Sequence, residues 1–303
     1  LDLSPLAVHL ARVKCQRRAP REREGFLAAL HGVAKRSEER VRARVEVRAP
    51  LSAEERAYYQ PHTLKELAGI REEILVVEDR TNREALMMLL SAIVVKFSKQ
   101  RADTATEKTE LRIRKGLPTE FFVRKGEELE ERWAALFAAT TKAATRPYIK
   151  EADALALPTG LPDGFRADLL LTSPPYGGTY DYASHHSRRY AWLGLSPSAL
   201  EAREIGARRT LKGHGGGARW DRELAAALAS MRRALAPGGT IVMLIGDGQI
   251  AGRRVPADLQ VRELAPAAGL ALVAGASEGR PDFTGGETRR EHLLLLRAAR
   301  TER

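Results

Sequence analysis

A chain of 303 residues, 44% hydrophobic and 29% charged, has the make-up of a globular protein and the length for one large domain or two ordinary ones. Its longest apolar run, residues 85–95, is about half the ~20 residues of a membrane-crossing helix and is bounded by charge, so a membrane is not an expected partner. The single cysteine, Cys15, excludes an internal disulfide framework and a CxxC metal site, and the seven histidines have no zinc-type spacing, so no metal and a reducing, cytoplasmic compartment are expected.

The net charge of +11 points to a polyanionic partner. Residues 11–150 hold 30 Lys and Arg against 21 Asp and Glu, whereas residues 151–303 hold 20 against 17. The basicity therefore sits in the first half. The chain opens on Leu1 inside what reads as structured sequence, and nothing there resembles a signal peptide.

In chain order, REREGFLAALHGVAKRSEERVRARVEV (21–47), TLKELAGIREEIL (63–75) and NREALMMLLSAIVVKFS (82–98) carry apolar residues at helical spacing. TELRIRKGLPTEFFVRKG (109–126) reads as extended around a Gly-Pro turn, and EELEERWAALFAATTKAA (127–144) again as helix. Residues 17–146 thus form a mainly helical block without a fixed-period repeat. Beyond it, strands are expected at 167–172, 240–246 and 291–299, with helices at 221–236 and from 256 to a break near Pro266, leading into LALVAGASEG (270–279). Pro237-Gly238-Gly239 ends the first of these helices. Continuous apolar strands predict a parallel sheet covered on both faces, the α/β class.

The strand at 167–172 stops at Ser173-Pro174-Pro175-Tyr176. Two prolines in succession lack the amide hydrogens a central strand needs, so the chain must leave the sheet there, presenting a hydroxyl, proline carbonyls and an aromatic ring. That set suits work on an exocyclic amino group. The nitrogen of such a group delocalises its lone pair into the ring and is a poor nucleophile. Acceptors on its hydrogens, Ser173 Oγ and the Pro174 carbonyl, would draw it toward a tetrahedral, reactive form. Its target atom is shielded in a duplex, so the base must be flipped out, and Tyr176 is the ring to stack on it.

Ser173-Pro174-Pro175-Tyr176 after a leucine-rich strand resembles the (Asp/Asn/Ser)-Pro-Pro-(Tyr/Phe/Trp) motif of amino-group DNA methyltransferases, which carry the methyl of S-adenosylmethionine to cytosine N4 or adenine N6. The flanks are similar as well. YIKEADALALP places Asp153 where the family has an acidic contact to the cofactor's adenosine. RALAPGGTIVMLIGDG and REHLLLLR resemble the fifth and last strands of Rossmann-like methyltransferases. LDLSPLAVHLARVK resembles the end of the second strand, where Asp2 would hold the cofactor ribose. The resemblance implies a Rossmann-like class I methyltransferase sheet at 1–16 and 147–303, with the helical block 17–146 inserted as a possible target-recognition region. It further implies S-adenosylmethionine as cofactor, DNA as partner and methylation of the kind found in modification systems. Serine at the motif's first position leans toward cytosine N4, since adenine enzymes more often use Asp or Asn there. C5-cytosine chemistry would need a cysteine nucleophile, and Cys15 is far from the motif in sequence.

Asp2, Asp153, Ser173 and Asp247 each follow an expected strand and would meet at one sheet edge, where open α/β sheets bind ligands. Tyr180 and Tyr182 would help cover the flipped base, and Arg188 and Arg189 would meet phosphates. His185 and His186 face different ways on a helix, and KGHGGGARW (212–220) reads as a lid. Lys96, Lys99, Arg101, Lys108, Arg112, Arg114 and Lys115 form the expected phosphate-contacting stretch. One family feature is missing: no Phe-x-Gly-x-Gly loop follows a first strand, and LIGDGQI (244–250) occupies the fifth-strand place. An N-terminally truncated chain that begins at the end of the second strand is the expectation. RNA amino-methylation and a catalytically silent nucleic-acid-binding homologue remain as alternatives.

Overall fold

The structure, a computed structural model, describes residues 1–303 except 101, 106, 107, 111, 142–144, 282–287 and 300–303. It divides into a helical unit, Ser4–Ile149 with His185–Ser198, and an α/β unit, Leu1–Leu3 with Lys150–Ser184 and Ala199–Arg303. The boundaries fall elsewhere than the expected 1–16, 17–146 and 147–303. The helix at 5–14 belongs with the helical unit because Leu6, Val8 and Val13 are buried on it, and Ser4 Oγ lies 2.9 Å from Tyr190 Oη.

The helical unit is built on α1 (Pro5–Lys14), α2 (Pro20–Arg42), α3 (Pro61–Leu75), α4 (Arg80–Val94), α5 (Leu117–Ala139) and α6 (Ser187–Leu193). Side-chain caps set two of the starts: Ser4 Oγ accepts from the Ala7 N–H, and Asp79 Oδ1 from the Asn82 N–H at 2.6 Å. Residues 117–126 are helical rather than extended. Gly116 supplies a left-handed turn at φ 83°, and Pro118 sits in the first turn, where its missing N–H costs nothing. Phe122 on that first stretch is fully buried. At Gly126 a Cβ would fall 2.3 Å from Leu30 Cδ2, so only glycine lets α5 approach α2 this closely. α2 ends at Arg42 instead of continuing to 47, and Arg44 takes a positive φ just beyond. Phe26 and Trp133 meet edge to face at 4.8 Å in the centre of the core.

The α/β unit contains β1 (Ala167–Thr172), α7 (Gly216–Ala234), β2 (Leu235–Gly246), β3 (Gly248–Ile250), β4 (Arg253–Val255), α8 (Ala257–Leu264), β5 (Leu270–Pro281) and β6 (Thr288–Ala298). Four strands form one sheet in the order β1-β2-β6-β5, with β1 and β2 parallel and β6 antiparallel to both its neighbours. This is a mixed α/β sheet, parallel between β1 and β2 as expected and antiparallel on both sides of β6. Residues 282–287 alone join β5 to β6, too few for the crossover that parallel neighbours require. Asp2 and Glu151 make an isolated parallel bridge outside the sheet. β3 and β4 form a separate hairpin, turned by Ala251 and Gly252 at positive φ.

Trp220, Leu224, Leu228 and Met231 of α7 and Val261 of α8 cover one face of the sheet, packing on Ile241, Met243, Ile245, Leu294 and Leu296. On the opposite face Leu169, Leu171, Leu244 and Leu293 are 39–75% exposed. The expected covering of both faces is therefore absent among the described residues. No helix of the described residues is long and apolar enough to cross a membrane.

Candidate active site at the carboxyl ends of two parallel strands

Because β1 and β2 run in the same direction, with Thr172 opposite Met243, Ser173 and Asp247 leave the sheet at the same edge. Ser173 is exposed and Pro174 buried, so the double proline anchors the turn while the hydroxyl stays open to solvent. Tyr176 is half-buried. Its ring lies against Gly246, where a Cβ would come 2.5 Å from Cε2, and its phenol donates to Glu291 Oε1 on β6 at 2.9 Å. Burial and the neighbouring Glu291 carboxylate push the Tyr176 pKa up to about 12, while the nearby Ser173 hydroxyl acts in the opposite sense. Arg280 Nε, 3.1 Å from Glu291 Oε2, holds that carboxylate from the other side.

The loop after the motif is tied down along its length. The Gly178 N–H donates to the Gly206 carbonyl, the Gln249 N–H to the Gly177 carbonyl and the Arg208 N–H to the Tyr180 carbonyl. Asp181 Oδ1 accepts from the Arg209 N–H at 2.9 Å, and the buried Glu204 accepts from the Tyr182 N–H at 2.6 Å. Tyr180 and Tyr182 have ring centroids 4.5 Å apart. Burial raises the Tyr182 pKa, and the Asp2 and Glu204 carboxylates add to the effect.

Of the sequence-selected residues, Ser173 thus stands with Tyr176 and Tyr180 packs against Tyr182, while the Asp2 carboxylate acts on the Tyr182 phenol through its charge. Asp153 keeps different company. Its Oδ1 caps the turn at Ala154–Ala156 through the Leu155 N–H, and Oδ2 lies 3.9 Å from Arg203 Nη1. Two further expectations are corrected, the phosphate contacts of Arg188 and Arg189 and the lid. Arg188 is buried, donates to Gln100 Oε1 and lies 3.7 Å over the Tyr58 ring; Arg189 pairs with Asp103; neither is free for phosphate. His185 Nδ1 faces the Asp103 carbonyl at 3.1 Å. The expected lid at 212–220 is in large part the start of α7, because Gly216 packs on the Leu211 backbone and Trp220 is core.

Asp247 anchors a network that sequence reasoning did not foresee. Its carboxylate accepts from Arg254 Nε at 2.8 Å, the Ala257 N–H at 3.1 Å and His292 Nε2 at 3.0 Å, while His292 Nδ1 meets Ser277 Oγ at 2.7 Å. Burial alone would raise the Asp247 pKa, but the bonds from His292, Arg254 and Ala257 outweigh it and hold the pKa low. Asp258 brings a second carboxylate to His292 at 3.6 Å. With a guanidinium already seated on Asp247, the cluster is an ion-pair lock joining β2, β4, α8 and β6. The signal was present in the sequence as Glu291 and His292 directly before the leucine run of the last strand.

No protein-family model and no curated protein matches the chain. Among solved structures, a protein of Thermus thermophilus that bears the provisional name of a DNA modification methylase is similar at 21% identity, over 50% of this chain and 53% of the other, with a TM-score of 0.29. The similarity thus spans about half of that protein's length and is too low to carry an argument about this one.

Proposed function

We propose that the chain takes part in S-adenosylmethionine-dependent methylation of an exocyclic amino group in DNA, cytosine N4 ahead of adenine N6, on a Rossmann-like sheet to which the β1-β2-β6-β5 strands belong. One observation carries the reading: Ser173 stands exposed where β1 breaks off, beside a Tyr176 fixed by Gly246 and Glu291. Rigid prolines hold the hydroxyl, the Pro174 carbonyl and the ring in register, as a preorganised site requires. Ser173 Oγ and the Pro174 carbonyl accept the two amino hydrogens and orient the nitrogen lone pair, so positioning supplies much of the rate. Tyr176, with Tyr180 and Tyr182 nearby, grips the flipped base by its face.

S-adenosylmethionine would supply the activated methyl group. Asp2 and Asp153 offer carboxylates suited to its ribose hydroxyls and adenine amine. The glycines at this edge, in contrast, make room for the protein itself: Gly177 for Trp220, Gly178 for the Gln249 carbonyl and Gly246 for Tyr176. No open glycine cradle for the cofactor's methionine end stands among the described residues near the motif. That observation favours, as second reading, a nucleic-acid-binding chain without turnover.

Mass analysis of nucleosides separates the two. After incubation of DNA and RNA with the chain and S-adenosylmethionine, N4-methylcytosine or N6-methyladenine is expected in the DNA. Ser173→Ala should lower the yield by about 100-fold, the scale of a lost transition-state contact, with duplex affinity kept. Methyl groups confined to RNA, or none at all, would remove the DNA reaction.

A further inference from the structure

The helical unit holds 31 Lys and Arg against 21 Asp and Glu, so it carries nearly all of the chain's net charge of +11. Much of the basic stretch singled out in the sequence is answered within the unit. Lys99 pairs with Glu110 and Arg114 with Glu120, Lys96 lies over the Phe121 ring and Lys108 over Tyr58. Arg101 lies outside the described residues.

Positive charge collects instead around a cavity of about 960 Å³ beyond the C-terminal end of α1, walled by Arg12, Lys14, Arg17, Arg18 and Arg146. Its two acids already serve helix starts: Glu22 Oε2 accepts from the Ala19 N–H, and Asp79 Oδ1 from the Asn82 N–H, each at 2.6 Å. Arg17 is held by three bonds to Thr140 and lies 4.0 Å over the Phe137 ring. Arg18 is only 4% exposed and lies 4.0 Å over Trp133. Its guanidinium donates to Gln16 Oε1, Asn82 Oδ1 and the Thr81 carbonyl, all neutral oxygens. A buried cation without a bonded carboxylate is costly, and an anion entering the cavity would offset that cost.

Arg12, Lys14 and Arg146 are exposed, and their side chains make no hydrogen bond or ion pair with the described residues. Arg12 and Lys14 lie in the last turn of α1, where the helix dipole alone favours cations. The dipole does not account for Arg17 and Arg18 beyond the helix end, nor for Arg146 arriving from another segment. The opening is many times larger than one phosphate group, which suits a chain of phosphates better than a single ion.

We infer that this cavity docks the phosphodiester backbone of DNA, with Arg12, Lys14 and Arg146 as the exposed contacts and Arg17 and Arg18 as its fixed wall. Such contacts position a duplex without reading its sequence. The inference shares with the proposed function a nucleic-acid partner, but it does not depend on chemistry at Ser173.

Cys15, the chain's single cysteine, is exposed in the same wall, so its alkylation by a maleimide reports occupancy in the unmodified chain. A saturating short duplex at low salt should slow alkylation about tenfold, while inorganic phosphate at matched ionic strength should not, because docking draws on several phosphates at once. The combined Arg12→Ala, Lys14→Ala, Arg146→Ala chain, with unchanged circular dichroism, should bind the duplex about tenfold or more weakly. It should also lose about 2–3 from the slope of log affinity against log salt. Unchanged alkylation while fluorescence anisotropy shows the duplex bound overturns the site, as does a folded chain that binds no duplex. Equal protection by inorganic phosphate reassigns the cavity to small anions and overturns the DNA inference. Protection without any methylated base would keep the docking site and remove the proposed reaction; methylated DNA without protection would do the reverse.

Discussion

The two units treat hydrophobic surface in opposite ways. In the helical unit the large side chains close on one another: Phe26, Leu30, Leu67, Ile70, Leu86, Phe122 and Trp133 are at most 1% exposed. In the α/β unit one sheet face is sealed by α7 and α8, while the other shows a leucine row to solvent. The first unit carries the surplus of positive charge, most of it on its surface but with Arg18 and Arg188 buried. The second is nearly neutral, with 19 Lys and Arg against 18 Asp and Glu, and keeps its polar groups for the strand ends and the Asp247 network. A closed core with a charged exterior suits a binding body. A half-covered sheet with an exposed hydroxyl at its edge suits a site that other groups complete.

The contrast can be broken most sharply at Trp133, whose indole N–H donates to the Val13 carbonyl at 2.8 Å. Trp133→Ala should cost the helical unit about 3–5 kcal/mol, read as a lower urea midpoint. A loss below about 1 kcal/mol would mean that the core is not closed as described.

Next in size is Asp247. Asp247→Ala leaves the buried His292 and its Arg254 partner without their shared acceptor and should cost about 3 kcal/mol. The folded carboxylate titrates below the ordinary aspartate value of 3.8, so its contribution is present above that value and fades as pH falls through the lower folded one. Urea midpoints should therefore drop more steeply below about pH 4 in the parent chain than in the variant. Parallel curves would show that the network carries no stability.

The smallest effect is expected on the open face. Leu171→Ala removes a side chain that is 75% exposed and should change stability by no more than about 0.5 kcal/mol. A cost near that of a core leucine, about 2–5 kcal/mol, would show that the face is packed in solution.

Much of this architecture was legible in the residues. Helical spacing located α2, α3 and α4, and the leucine run located β1, whose end the double proline set by removing backbone donors. What failed did so for tertiary reasons. Residues 117–126 resemble a strand locally, yet Gly116, Pro118 and the close approach of Gly126 to Leu30 make them helix. Continuous leucines in β1 and β6 imply cover on both faces, but apolar character says only what a strand can bury, not whether anything lies against it. Charge was the least legible. Arg188 and Arg189 look like phosphate contacts until Gln100, Asp103 and Tyr58 occupy them, and Arg12 and Arg146 look unrelated until the helices bring them to one cavity.

The sequence alone determined the break after β1, the hydroxyl and ring that follow it, and the excess of positive charge, because these depend on covalent structure and residue counts. Only the tertiary structure decided which cations stay unneutralised, that Glu291 holds Tyr176, and that Asp247 joins four elements through Arg254 and His292. Each of those depends on which distant side chains arrive within hydrogen-bonding distance, and that is settled by packing, which no local pattern encodes.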